Sequence, residues 1–150
     1  MRRRTLLWQI FPSYLLITAL AVAAVSLYSY STLREFYLRE TRESLTARAL
    51  LLAERTAPMI GAGEDSELDA LAKSLGSEIS TRITVISMDG QVIADSDEDP
   101  AVMDNHADRP EIAAAMADGV GAARRYSFTL EQNMMYVAVP VTADGVEIAV

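Results

Sequence analysis

From Thr5 to Leu33 the chain runs for 29 residues without a charged side chain, and the apolar centre of that run extends from Leu6 to Tyr30. At about 1.5 Å per residue, a helix over 6–30 reaches roughly 37 Å, more than the ~30 Å hydrocarbon core of a bilayer. The run therefore predicts one transmembrane helix with some tilt. Pro12 sits near its start, where neighbouring groups or interfacial water tolerate a lost backbone bond. Trp8 falls near one boundary and Tyr28 and Tyr30 near the other, as an aromatic belt would place them. Arg2, Arg3 and Arg4 precede the span, so residues 1–5 should be cytoplasmic and residues 31–150 outside. A cleaved signal peptide is the rival, because Ala19-Leu20-Ala21 and Ala21-Val22-Ala23 have the small-x-small pattern of a cleavage site. The apolar run continues past both without a polar region and is longer than a signal sequence requires.

Charge narrows the partners. All 21 acidic residues lie at or after Glu35, while three of the 13 basic residues precede the span. Residues 34–150 thus carry 10 basic against 21 acidic groups, a net of −11. Such a surface repels phosphate backbones, and nucleic-acid binding is excluded. With no cysteine, disulfides, thiolate zinc sites and thiol catalysis are excluded too.

Beyond the membrane, residues 31–60 read as a stalk helix continuing the span. Glu35–Arg39 and Arg39–Glu43 are i,i+4 pairs, and Leu38, Leu45, Leu52 and Met59 recur every seven residues. That spacing suits a seam in a homodimer; packing of Leu45, Ala49 and Leu52 onto the chain's own domain suits it equally. Residues 61–150 read as a separate domain. Ser66–Asp69 has the form of a capping box and opens a helix stopping near Gly76. The β-branched run from Arg82, the Asp89-Gly90 turn and the return strand Gln91–Asp95 predict a hairpin. A short helix should start near Arg109, with Asp108 as N-cap, Pro110 in the first turn and Glu111 at the capping-box position, and end at Gly119. Tyr126–Thr129 and Met135–Val141 read as strands around a turn near Glu131-Gln132-Asn133. Asp144-Gly145 turns the chain into Val146–Val150, and an end inside a strand reads as truncation. The order predicts an α+β domain with one antiparallel sheet of about five strands and helices on one face.

Few residues are suited to chemistry. His106, followed by Ala107-Asp108-Arg109-Pro110, resembles the H-E-x-R-x-P phospho-acceptor box, but Ala107 replaces the Glu and Pro110 comes one residue early. No Gly-rich nucleotide box accompanies it. Asp95, Asp97 and Asp99 alternate like the first ligands of a calcium loop, yet Pro100 and His106 occupy the positions that need Gly and Glu. An EF-hand is excluded, and no metal or cofactor is expected. Arg82, Arg109, Arg124 and Arg125 all belong to the predicted sheet domain. Converging arginines take carboxylate or phosphate bidentately, and with Tyr126 and Tyr136 would line an anion-accepting pocket; the alternative is that each pairs with a neighbouring acid.

The run from Arg82 to Val141 resembles the extracytoplasmic sensor of bacterial membrane histidine kinases of the phosphate-regulon sensor type. The pieces that carry the resemblance are the strand–Asp89-Gly90–strand hairpin with Ala94-Asp95-Ser96, then Met103, Asn105-His106 and Arg109-Pro110-Glu111-Ile112. Arg125-Tyr126-Ser127 and Met135-Tyr136-Val137-Ala138-Val139-Pro140 complete it, and Phe128 departs from the pattern. The resemblance implies a PAS-like domain of the PDC/Cache type in a bacterial inner membrane protein. It also implies a homodimer whose missing cytoplasmic domains phosphorylate a response regulator. No residue in 1–150 would carry that catalysis. A small anionic ligand, if bound, should meet Asp95, Asn105, His106, Arg109, Arg124, Tyr126 and Tyr136. The input domain of a chemoreceptor or membrane cyclase, or a stand-alone anchored interaction module, would share this layout.

Overall fold

A computed structural model describes residues 6–127, 132–143 and 145–150. The arginine triplet, Phe128, Thr129, Glu131 and Asp144 lie outside the described residues. The chain divides into two compact units, the first ending at Thr41 and the second covering Arg42–Val150.

The first unit is helical and belongs to α1, Leu6–Ala62. Its most apolar 18-residue window has a mean hydropathy of 2.1, and none of that window is buried. Leu15, Ile17, Leu20, Val22, Val25 and Leu27 are all exposed, so this surface has no protein core to enter. Several of its hydroxyl side chains bond back to the helix itself. The Ser13, Thr18 and Ser31 hydroxyls donate to the Ile10, Tyr14 and Tyr28 carbonyls at 2.8, 2.9 and 2.9 Å. Bonding a hydroxyl back to the helix's own carbonyls is how a bilayer interior accommodates it.

Among the described residues, the second unit contains the rest of α1, α2 (Asp65–Ile79), α3 (Pro110–Asp118) and six strands. These are β1 (Thr84–Ile86), β2 (Val92–Asp95), β3 (Gly121–Ser127), β4 (Gln132–Ala138), β5 (Val141–Ala143) and β6 (Val146–Ala149), with a 3-10 turn at Pro100–Val102. They form three two-stranded antiparallel sheets, β1–β2, β3–β4 and β5–β6, rather than one sheet of five. Pro140 is one physical reason: it has no N–H to donate, so the expected strand Met135–Val141 divides into β4 and β5 on either side of it. The first and last hairpins still meet. Ser87 bridges Ala149, and Ile86 and Val150 exchange backbone bonds of 2.8 and 2.7 Å. The predicted turn at Glu131–Asn133 also shifts, because Gln132 and Asn133 already belong to β4, opposite Ser127 and Tyr126.

Helices cover both faces, not one. Ala57 of α1 and Leu68 and Ala72 of α2 pack with Ile83, Val85, Ala94, Val141 and Ala149. Ile112 and Ala115 of α3 pack instead with Ile86, Ala138 and Val150. The successive pairs Val85/Ile86 and Ala149/Val150 divide between the two clusters, and all four residues are buried. Leu52 and Met59 pack against the first cluster, so half of the seven-residue seam is used within the domain.

Helix ends differ from the local signals. Glu64, without a side-chain cap, precedes α2, and the helix runs through Gly76 to Ile79 before Ser80 adopts the left-handed conformation. Gly76 lies inside because the helix passes Ser96 too closely for a side chain: an added Cβ would be 2.4 Å from the Ser96 Cβ. Arg109, not Asp108, occupies the cap position of α3; Pro110 and Gly119 stand at the two ends as expected.

Candidate functional site

Asp95 closes β2 and is fully buried. Arg82 Nε donates to both of its oxygens at 3.1 Å, and the Thr84 hydroxyl donates to Oδ2 at 2.6 Å. The backbone N–H groups of Asp97 and Glu98 donate to Oδ1 at 2.9 and 3.0 Å. Burial by itself pushes the carboxyl upward. The bonds from Thr84, Asp97, Arg82 and Glu98 outweigh it and hold Asp95 below the usual carboxylate range. This carboxylate ties β1, β2 and the following loop together. The other two aspartates of the alternating set do not converge on it. Asp97 accepts from the Ser96 hydroxyl, and Asp99 caps the 3-10 turn by accepting from the Ala101 N–H. Among the described residues, no three His, Asp or Glu side chains are grouped to hold a metal ion.

Asn105 acts on the hairpin turn. Its Nδ2 donates to the Asp89 carbonyl at 2.8 Å, and its Oδ1 accepts from the Ala107 N–H at 2.9 Å. With the His106 N–H donating to the Gly90 carbonyl at 2.7 Å, the segment before α3 is fixed to the β1–β2 turn. Asn105 also borders an open groove of about 320 Å³ with Gln91, Val92, Pro100, Ala101 and Met103.

That anchoring places His106 at the head of a polar cluster between α3 and the β3–β4 hairpin. His106 is only 3% exposed, and neither ring nitrogen makes a well-aligned hydrogen bond among the described residues, the backbone of Asn105 and Asp104 lying near enough only to favour its protonated form in part. Burial pushes its pKa below the ordinary 6.5, and the positive charges of Arg109 and Arg125 act in the same direction. Glu111, in the first turn of α3, is equally buried, and its Oε1 receives Arg125 Nη2 at 2.8 Å. Its Oε2 is buried and unpartnered, as is Arg125 Nε. The Arg125 guanidinium lies over the Tyr136 ring, 3.7 Å from its centroid. Arg109 is half-buried and close enough to feel the charges of Arg125 and Glu111.

Local sequence explains the convergence. The β3–β4 register sets Ala123 opposite Tyr136 and Arg125 opposite Met134, so alternation puts Arg125 and Tyr136 on one face. Gly121 lets α3 reach that face: a Cβ there would lie 1.7 Å from the Glu111 carbonyl oxygen.

The structure thus brings His106, Arg109 and Tyr136 together, with Asn105 holding the adjoining segment. Asp95 belongs to a separate hydrogen-bonded hub. Arg124 and Tyr126 alternate with Arg125, and both are exposed. Arg125, one of the four arginines expected to converge but not among the expected ligand contacts, and Glu111, expected only as a helix-capping residue, also enter the cluster. Glu111 reads locally as a capping residue, and choosing between Arg124 and Arg125 requires the strand register. The dipeptide Arg124-Arg125 was the visible signal, since one of two adjacent strand residues must face inward.

The chain matches the single Cache-like family over residues 35–149. No curated protein and no solved structure matches it. Domains of this family are extracytoplasmic sensor modules of signalling proteins. The match takes in the last part of α1 and nearly all of the second unit, including both helix-covered faces and the His106 cluster, and the chain belongs to the single Cache-like family.

Proposed function

We propose that the chain is the anchor and sensing portion of a two-component sensor histidine kinase of the phosphate-regulon sensor type. In this reading residues 1–5 are cytoplasmic, 6–30 span a bacterial inner membrane, 31–60 form the stalk and 61–150 the sensor domain. A stimulus at the sensor biases the packing of the stalk against that of a second copy. The membrane helix carries a small shift inward and changes the balance of autophosphorylation and phosphotransfer to a response regulator. This is a two-state coupling, so any ligand must bind the two states unequally. Leu50 and Leu51, 49% and 69% exposed on α1, supply apolar surface for the second copy. The observation that carries the proposal is that the Cache-like match begins within α1, the same helix that holds the uncharged apolar stretch.

The test has two parts. Reporter fusions after Ala62 and Val150 should be active only outside the cytoplasm; activity in the cytoplasm sinks the orientation. The reading frame after Val150 should encode a second apolar span, a His-Glu acceptor box and Gly-rich ATP-binding boxes. A methyl-accepting or cyclase output there would replace the kinase mechanism. Because the chain has no cysteine, Leu51→Cys provides a single disulfide probe of the dimer, expected to cross-link in membranes on mild oxidation.

A further inference from the structure

We propose that His106, Arg109 and Arg125 form a proton-linked site for a small anion, in which the Glu111 carboxylate holds Arg125 while the anion is absent. The proposal deepens the sensor reading and rests on it only in treating this cluster as facing a ligand.

The first argument is a charge census. Two guanidinium groups, Arg109 and Arg125, share one neighbouring carboxylate, Glu111, which makes its ion pair with Arg125 alone. Among the described residues the Arg109 guanidinium makes no hydrogen bond or ion pair. A domain whose net charge is strongly negative therefore keeps an uncompensated, half-buried positive charge at this one place.

The second argument is the set of unmade bonds. His106 Nδ1 and Nε2, Arg125 Nε and Glu111 Oε2 are buried without well-aligned partners among the described residues. Buried polar groups in folded domains are nearly always paired, and the donors of this set, Arg125 Nε and an imidazole N–H of His106, point to a missing acceptor, whereas Glu111 Oε2 is itself an acceptor that an anion does not serve. A small carboxylate or tetrahedral oxyanion has the required chemistry. Its oxygens accept from both guanidinium groups, and one accepts from the imidazole when that is protonated. The Arg125 side chain is 34% exposed while that of Glu111 is 4% exposed, so an anion arriving from solvent meets Arg125 before Glu111.

The third argument is linkage. The charged groups acting on His106 are Arg109, from its own segment with exposed Asp104 and Asp108, and Arg125 from β3, which in turn meets Glu111 of α3 and lies over Tyr136 of β4. In the β1–β2 turn, the Asp89 side chain is engaged by Ser87 and Gln91, and Gly90 offers only its carbonyl. Protonated His106 would add a third positive charge beside the two arginines. An anion removes that repulsion, so anion and proton bind cooperatively, and the coupling is reciprocal.

His106 is the only histidine, so the full chain in phosphatidylcholine nanodiscs gives one imidazole signal by NMR. In buffer free of carboxylates and oxyanions its midpoint should lie below 6.5. Millimolar acetate, sulfate or inorganic phosphate should raise that midpoint by about one pH unit for at least one of the three. That shift corresponds to roughly tenfold tighter anion binding by the protonated form. Arg109→Ala, which breaks no bond among the described residues, should abolish the shift. Glu111→Gln, which removes the resident carboxylate, should enlarge it. A midpoint unmoved by all three anions, or moved equally in Arg109→Ala, overturns the site and leaves the sensor reading standing. A non-kinase output domain would sink the kinase reading and leave this titration untouched.

Discussion

Replacing Asp95 by alanine removes the acceptor shared by Arg82, Thr84, Asp97 and Glu98. The fold favours the charged over the protonated carboxyl despite burial, and deleting it destabilises because its buried donors are left without an acceptor. The magnitude comes from the partners. Arg82 is 39% exposed on its side chain, so its ion pair contributes no more than about 1 kcal/mol. The hydroxyl and two backbone N–H groups lose a charged, fully buried acceptor, and together with the ion pair this costs about 3–5 kcal/mol. Amide exchange at Ser96, whose N–H donates to the Ile83 carbonyl at 2.9 Å beside the hub, reports the change. Protection there should fall between about a hundredfold and a few thousandfold in Asp95→Ala, at about tenfold per 1.4 kcal/mol. Arg82→Ala should lower it by no more than about fivefold. A loss under tenfold in Asp95→Ala, or equal losses in the two variants, would refute the assignment of the stabilisation to Thr84 and the backbone donors.

Gly121→Ala places a Cβ against the Glu111 carbonyl oxygen and forces α3 away from β3. Overpacking of this kind costs about 1–3 kcal/mol, and the melting temperature should fall by roughly 4–8 °C for each, with loss of the Arg125–Glu111 pair. Leu68→Ala, at a fully buried position, should cost about 2–5 kcal/mol in denaturant unfolding, whereas Val102→Ala, at 75% exposure, should stay within about 0.5 kcal/mol. His106 makes stability depend on pH. Its folded pKa is depressed, so below the unfolded value of 6.5 the unfolded chain binds more protons, and stability falls as pH drops through that value toward the folded one. A urea midpoint lower at about pH 5 than at about pH 7.5, and a flat profile over that window in His106→Gln, is the expected outcome. The loss owed to Asp95 comes separately, below 3.8.

Much of this protein is legible from residue order. The 29-residue uncharged run specifies an exposed apolar helix because no protein surface is needed to interpret its length and hydropathy. The Asp89-Gly90 hairpin and the Pro110–Gly119 limits of α3 are equally local, since turn and cap preferences act within a few residues. Signals that depend on a distant neighbour misled. Gly76 reads as a helix stop until Ser96 packs on it, and Met135–Val141 reads as one strand although the ladder changes partners at Pro140.

The cluster shows the same division. Histidine and arginines of the right kind are visible in the sequence, and His106, Arg109 and Tyr136 are brought together. Which of Arg124 and Arg125 faces inward is decided by pairing with β4, because a one-residue shift of register reverses every side chain. Whether a buried acid is a helix cap or a counter-ion is likewise decided by what packs over it, and for Glu111 that is Arg125. Sequence alone determined the apolar helix, the α+β character and the chemical types available. The tertiary structure decided that α3 covers the face opposite α1 and α2, that Asp95 is a buried hub, and which charges share a low-dielectric space. Coulomb and desolvation energies depend on distance and burial, and a linear chain specifies neither until it folds.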